Sequence, residues 1–282
     1  MGRILDGKEV ANAVKEEVAK EVAGLEFQPG LATVLVGDDP ASHTYVRGKR
    51  RDAEQVGIRS IHHELAVSVG RNDLVDLIRS LNDDEDVDGI LVQLPLPGDL
   101  DGEEAVETID PAKDVDGLHP FNLGKLMLGR PGLRPCTPSG VMRILDHYEI
   151  ETRGARTAIV GRSFLVGRPL AMMLSERGAD STVSVAHSRT ADLAAVTREA
   201  DILVAAAGSP GLIGADHVKP GATVIDVGVN RTDEGLVGDV EFDAVVDIAG
   251  GITPVPGGVG PMTRAMLLAN TLRAAEARRG TT

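Results

Sequence analysis

Tryptophan is absent from the 282 residues, and aromatic residues together make up 2% of them. A chain so poor in rings must build its core from Val, Leu, Ile and Ala, and it has few groups to serve as a stacking platform for single-stranded nucleic acid. A lone cysteine, Cys136, excludes intrachain disulfides and fits a reducing compartment. No apolar run approaches the roughly 20 residues of a membrane span, and the opening MGRILDGKEVANAVKEEV has no apolar signal core, so a cytoplasmic protein is expected. Positive charge is scarce too: 29 Lys and Arg stand against 43 Asp and Glu, a net −14. That field repels phosphate backbones and anionic lipid, which speaks against nucleic acid or membrane as partners. A small anionic ligand is still admitted, because Arg47-Gly48-Lys49-Arg50-Arg51 is a local basic patch.

What is present is globular: 42% hydrophobic and 26% charged residues, in a chain long enough for two ordinary domains. Short β-branched runs alternate with helical stretches, the rhythm of parallel α/β domains. In the first half the expected strands are 31–36, 58–65 and 89–94, with helices over 8–25, 40–56 and 72–81. A Pro- and Gly-rich stretch from Pro95 to Pro138 reads as loops and a linker. A helix over 139–148 leads into a second series, with strands at 157–160, 182–186, 202–206, 223–227 and 244–248. A final amphipathic helix covers 263–279. The expected fold is therefore α/β: two α/β domains with a cleft between them, the second a Rossmann-like parallel sheet. The boundaries expected are 1–138, with the C-terminal helix 263–282 packing back on it, and 139–262.

Three places carry candidate chemistry. The segment DPASHTYVRGKRRDAEQVG, Asp39 to Gly57, reads as one helix with Asp39 as N-cap, Pro40 in the first turn and Gly57 as the stop. Its four-residue spacing puts Tyr45 and Lys49 on one face, where a phenol can orient an ammonium and burial can lower the lysine pKa toward neutrality. The same pattern fits the solvated basic face of an ordinary helix. In the second half, the strand at 157–160 runs into Gly161-Arg162-Ser163-Phe164-Leu165-Val166-Gly167 and then a helix. A strand, a tight turn and a helix N-terminus make up a pyrophosphate site. The literal G-x-G-x-x-G spacing fails at Ser163 and Val166, so the turn also fits a purely structural role. After the next strand come His187-Ser188-Arg189-Thr190 with no carboxylate to take a ribose hydroxyl. Arg162 and Ser188 suit a 2′-phosphate, which favours NADP over NAD. Finally, Val92-Gln93-Leu94-Pro95-Leu96-Pro97, Lys113-Asp114-Val115-Asp116-Gly117 and Pro254 to Thr263 supply an amide, a carboxylate and bare main chain, which suit a flat heterocycle edged with N–H donors.

Taken jointly, these segments resemble the bifunctional methylenetetrahydrofolate dehydrogenase/cyclohydrolase family. The matches are Tyr45–Lys49, Val92–Pro97, Lys113–Gly117, Pro135–Pro138, Gly161–Ser163, Val224–Gly228 and Pro256–Thr263, in family order along the whole chain. The resemblance implies NADP-dependent oxidation of 5,10-methylenetetrahydrofolate to the 5,10-methenyl cation, then hydration to 10-formyltetrahydrofolate. It implies Lys49, Tyr45, Gln93 and Asp116 as catalytic residues. Substrate-binding positions would be those four with Val92, Leu94, Pro256, Gly257 and Gly258. Gly161, Arg162, Ser163, Ser188 and Val229 would bind NADP, and the chain would form a homodimer. The histidines show no metal-ligand spacing, and no metal is expected. Cys136 reads as a small buried apolar residue rather than a nucleophile. Within the enzyme class the alternatives are a dehydrogenase without hydration or an NAD-dependent form. Outside it stands a nucleotide-binding protein without turnover.

Overall fold

A computed structural model describes residues 2–233 and 235–280. Chain order runs β1 (Arg3–Ile4), α1 (Gly7–Ala23), β2 (Gly30–Val36), α2 (Pro40–Gln55), β3 (Arg59–Leu65), α3 (Arg71–Asp83) and β4 (Gly89–Val92). Two short helices, α4 (Gly102–Thr108) and α5 (Pro120–Met127), precede α6 (Cys136–His147). Alternation resumes with β5 (Arg156–Val160), α7 (Gly167–Ser175), β6 (Thr182–Ala186), α8 (Leu193–Thr197), β7 (Ile202–Ala205) and β8 (Thr223–Asp226). An antiparallel ribbon, β9 (Asn230–Thr232) and β10 (Gly235–Val237), is followed by α9 (Phe242–Val245), β11 (Gly251–Ile252) and α10 (Val259–Arg279). No helix among the described residues is long and apolar enough to cross a membrane.

The chain divides into two compact units. One joins Asn12–Cys136 to the stretch from Arg264 onward; the other joins the N-terminus up to Ala11 to Thr137–Thr263. The first is built on a parallel three-stranded sheet ordered β3-β2-β4. All seven residues of β2, GLATVLV, are buried, as expected of a central strand covered on both faces. Ala32, Val34 and Val36 pack with Leu74, Ile78 and Leu81 of α3 and with Ile90, Val92, Ala105 and Ile109. Lys113, itself buried, lends its ammonium to the end of α3, donating to the carbonyls of Leu81, Asn82 and Asp84 at 2.9, 2.6 and 2.7 Å. The end of α10 is tied to this unit through buried Asp88, whose carboxylate meets Arg278 at 2.8 Å and Arg279 at 3.0 Å.

The second unit carries a six-stranded, fully parallel sheet ordered β1-β11-β8-β7-β5-β6. Its core joins Ala158, Val160, Leu203, Ala205, Val224 and Ile252, with Val245 of α9 and the following Val246 packed in. The N-terminus enters this sheet because Arg3 and Ile4 pair with Gly251 and Ile252. Tyr148 secures the arrangement: its hydroxyl accepts from the Asp6 N–H at 2.9 Å and donates to Glu9 at 3.2 Å, with the Arg3 guanidinium 4.6 Å over its ring.

Three expectations are corrected. The β-branched run 244–248 is not a strand; residues 242–245 form the single helical turn α9, and the strand at this place in the sheet is the following Gly251–Ile252. Bare backbone is needed nearby, since a Cβ on Gly250 would come 2.4 Å from the Gly221 carbonyl. The region 95–138 is not all loop: Asp101 caps α4 by accepting from Glu103 and Glu104 N–H, and Pro120 opens α5. Helix α10 begins at Val259, ahead of the start at 263 expected for it.

Candidate active site

Helix α2 forms as its sequence dictates. The Asp39 carboxylate accepts from the Ser42 N–H at 2.8 Å, Pro40 sits in the first turn, and Gly57, at φ +85, follows the end of the helix. This helix carries Lys49 into the interior, where its ammonium nitrogen lies 2.9 Å from Gln93 Oε1. Gln93 in turn donates from Nε2 to the Leu94 carbonyl at 2.7 Å, which fixes which end of the amide faces the lysine. Burial lowers the Lys49 pKa, and nearby Arg264 pushes the same way; Asp116 and Cys136 oppose them by favouring the charged form. Tyr45, one turn earlier, is 40% exposed. Burial acts on Lys49 as expected from the sequence, and Gln93, Asp116, Cys136 and Arg264 act on it as well.

Arg264 went unnoticed in the sequence. Its guanidinium crosses α2 at Gly48, where an added Cβ would come 2.5 Å from Nη1, and meets buried Asp52 at 3.1 Å. Asp52 also has Arg51 at 3.7 Å and Lys15 at 4.0 Å. Gly48 is thus small because an arginine from α10 passes over it, a demand no local pattern contains.

The loop carrying Asp116 is organised by its neighbour. Buried Asp114 accepts from the N–H groups of Gly117, Leu118 and His119 at 3.1, 3.2 and 2.8 Å and from Asn122 at 2.8 Å. Burial outweighs those donors and raises the Asp114 carboxyl pKa. Asp116 is left partly accessible. Cys136 is buried, its thiol donates to the Val115 carbonyl at 3.2 Å, and burial pushes its pKa up, which leaves it a poor nucleophile. Asp38, His43 and Glu64 bring one ligand atom each within 4.8 Å, an arrangement that histidine spacing did not suggest; Asp38 and Glu64 are exposed.

The remaining predicted residues lie in the other unit. Gly161, at φ +131, abuts β7 so closely that a Cβ would sit 2.1 Å from the Ala206 carbonyl oxygen. Gly167 closes on Gly161 in the same way, again at 2.1 Å. The glycines that matter in this turn are therefore 161 and 167, a wider spacing than the literal fingerprint. Ser163 braces it by accepting from the Val166 N–H at 3.2 Å, while the Arg162 side chain is exposed at the turn. Ser188 is exposed just past β6 and Val229 just past β8. Gly257 and Gly258, which follow the cis-bonded Pro256, pack on the start of α1, where a Cβ on Gly7 would come 1.8 Å from the Gly258 carbonyl oxygen.

A fully parallel sheet whose β5–α7 turn is closed by two glycines at the start of a helix belongs to a dinucleotide-binding unit, here in one chain with a second α/β unit holding a buried lysine. That combination defines a nicotinamide-dependent oxidoreductase of two units. The chain belongs to the tetrahydrofolate dehydrogenase/cyclohydrolase family: the catalytic-domain model matches residues 5–116 and the NAD(P)-binding-domain model residues 135–279. It is 57% identical over 278 residues to bifunctional protein FolD 2 of Frankia alni, covering 97% of this chain and 96% of that protein. Its fold is similar to the crystal structure of the bifunctional FolD methylenetetrahydrofolate dehydrogenase/cyclohydrolase from Campylobacter jejuni, with a TM-score of 0.95 and 47% identity over 99% of this chain and 100% of that one. The Trypanosoma brucei FolD, crystallised with NADP and an inhibitor, gives 0.93 and 41% over 99% and 98%. The protein is accordingly a methylenetetrahydrofolate dehydrogenase and methenyltetrahydrofolate cyclohydrolase.

Proposed function

We propose that this enzyme oxidises 5,10-methylenetetrahydrofolate with NADP and hydrates the resulting 5,10-methenyl cation to 10-formyltetrahydrofolate, with Lys49 moving the protons of hydration. The observation that carries this reading is the buried Lys49 amine, lowered in pKa and held by Gln93 at 2.9 Å. Hydride loss from a carbon between two nitrogens leaves an amidinium-like cation and needs no strong base, so positioning dominates that half. Hydration differs: an attacking water must lose a proton and a ring nitrogen must gain one. An amine shifted toward neutrality can do both, and Gln93 holds its nitrogen in one place. Asp116 accepts two hydrogen bonds from the aminopyrimidine edge of the pterin, a charge-assisted pair. Tyr45, Val92, Leu94, Pro256, Gly257 and Gly258 complete the folate contacts.

NADP supplies the hydride acceptor. The turn fits it on the chain's own geometry: Gly161 and Gly167 let the backbone close on Ala206 and on itself at the start of α7, where Val166 provides no side-chain cap. Gly161, Arg162 and Ser163 hold the phosphates, Ser188 and Arg162 take the 2′-phosphate, and Val229 lines the nicotinamide half. The proposal includes a cytoplasmic homodimer joined through the nucleotide unit, supported by the lone buried cysteine and by β6 being an outer strand with Val185 exposed.

The test supplies methylenetetrahydrofolate with NADP or NAD and follows reduced nicotinamide and the methenyl chromophore together. Wild type should form reduced NADP with little methenyl accumulation. Lys49→Met should lower cyclohydrolase turnover by about a hundredfold or more while folate binding persists. Unchanged hydration in that variant removes Lys49 from the mechanism.

A further inference from the structure

Two buried carboxylates lie at the carboxyl-terminal ends of β7 and β8, the edge of a parallel sheet where ligands bind. Asp239 is fully buried, and its carboxylate accepts four hydrogen bonds, all from neutral donors. Three come from consecutive main-chain N–H groups after β7: Ala207 at 2.7 Å, Gly208 at 2.9 Å and Ser209 at 2.9 Å. The fourth comes from the Asn230 side chain after β8, at 2.8 Å. Asp226, the last residue of β8, holds the backbone that presents Asp239. It accepts from the Asp239 and Val240 N–H groups, each at 3.0 Å, and from Gly228 N–H at 2.9 Å.

The turn has been emptied to admit these groups. A Cβ on Gly228 would lie 2.3 Å from Asp239 Oδ1, and one on Gly238 only 1.8 Å from Asp226 Oδ2. Val229 falls between the two clamps: Gly228 is tied to Asp226 and Asn230 to Asp239, and Val229 itself stays 47% exposed. An apolar side chain kept outward by two buried anions, beside a main-chain loop locked by one of them, is a prepared surface.

We propose that Asp239 is a positioning residue for the dinucleotide: by pinning residues 207–209 and Asn230 it presents the loops after β7 and β8, Val229 included, to the cofactor. The inference rests on the NADP reading above. It assigns Asp239 no contact with the reacting atoms, so its signature is a binding defect confined to one of the two activities.

The experiment compares wild type, Asp239→Asn and Asn230→Ala as full-length enzymes. Dehydrogenase turnover is measured with NADP varied, cyclohydrolase turnover on methenyltetrahydrofolate without any dinucleotide, and thermal unfolding alongside. The carboxamide of Asp239→Asn keeps one acceptor but turns an N–H toward the donors, and the KM for NADP should rise by about ten- to a hundredfold. Asn230→Ala deletes one donor, and a rise of about three- to tenfold is expected. In both, the saturated dehydrogenase rate should stay within about threefold and cyclohydrolase turnover within about twofold of wild type. An unchanged KM for NADP in both variants overturns the proposal. So does a parallel fall of both activities with a lowered Tm, which marks a general structural role. Should Asp239→Asn fail to fold, Asn230→Ala decides by the same criteria. A wild-type enzyme that reduces NAD and ignores NADP overturns the choice of dinucleotide alone, and the KM comparison is then read with NAD.

Discussion

Replacing Gly48 by alanine should change sign with the residue at position 264. In a helix interior Gly→Ala ordinarily stabilises by about 0.5–1 kcal/mol, because glycine loses more backbone freedom on folding. Here the new methyl would arrive 2.5 Å from Arg264 Nη1, so the guanidinium must leave its place over α2. Its 3.1 Å contact with Asp52 is then lost, and that carboxylate is almost wholly buried. Removing the partner of a buried charge costs about 3–5 kcal/mol when nothing replaces it. Arg51 at 3.7 Å and Lys15 at 4.0 Å remain, which reduces the loss to about 1–2 kcal/mol. Offset by the helix gain, Gly48→Ala should destabilise the wild type by about 1 kcal/mol. In an Arg264→Ala background the obstacle is gone, and the same substitution should stabilise by about 0.5–1 kcal/mol. Urea unfolding of the four proteins, followed by circular dichroism, gives the coupling directly. Equal effects of Gly48→Ala in the two backgrounds would refute the account of why position 48 is bare.

Gln93→Leu removes the acceptor of the Lys49 amine; with a hydrogen bond to a charged group contributing about 1.5–3 kcal/mol, cyclohydrolase turnover should fall about ten- to a hundredfold, and an unaffected rate would detach Gln93 from the chemistry. Burial raises the Asp226 carboxyl from 3.8 to about 6, so the folded protein binds this proton more tightly than the unfolded chain. Its contribution, up to about 3 kcal/mol, is complete below about pH 4 and is lost as pH rises through 6. Asp226→Asn should flatten the stability–pH curve in that window, and an identical slope in the variant would assign it to other groups. Arg162→Ala should raise the KM for NADP more than that for NAD, and an equal rise in both would deny Arg162 the 2′-phosphate.

The parts legible in the sequence are those whose cause is local. The unbroken apolar run of β2 announces a strand covered on both faces, and Asp39, Pro40 and Gly57 delimit α2 by hydrogen-bonding and dihedral rules that act over a few residues. Local cause also misleads: the stretch 244–248 satisfies strand preferences, yet Val245 and Val246 reach the core from the end of one helical turn and its cap. Tertiary causes leave no local trace. Nothing near Gly48 names Arg264, and nothing near Ala207 names Asp239. At the candidate site the sequence placed Lys49 and Gln93 in chemistry, and their contact at 2.9 Å spans α2 and the end of β4. The buried carboxylates behind Val229 stayed invisible because, Asn230 aside, the donors they accept from are main-chain N–H groups, which every residue but proline possesses.

Each unit joins two stretches that lie far apart in the polypeptide. Arg3 and Ile4 pair with Gly251 and Ile252, and Asp88 meets Arg278 and Arg279. During synthesis, therefore, the stretch 12–136 waits for the residues from 264 onward, and the strand at Arg3–Ile4 waits for Gly251 and Ile252. Loss of Arg278 and Arg279 would strip a buried carboxylate of these counter-ions in the folate-side half, an effect felt far upstream of the cut.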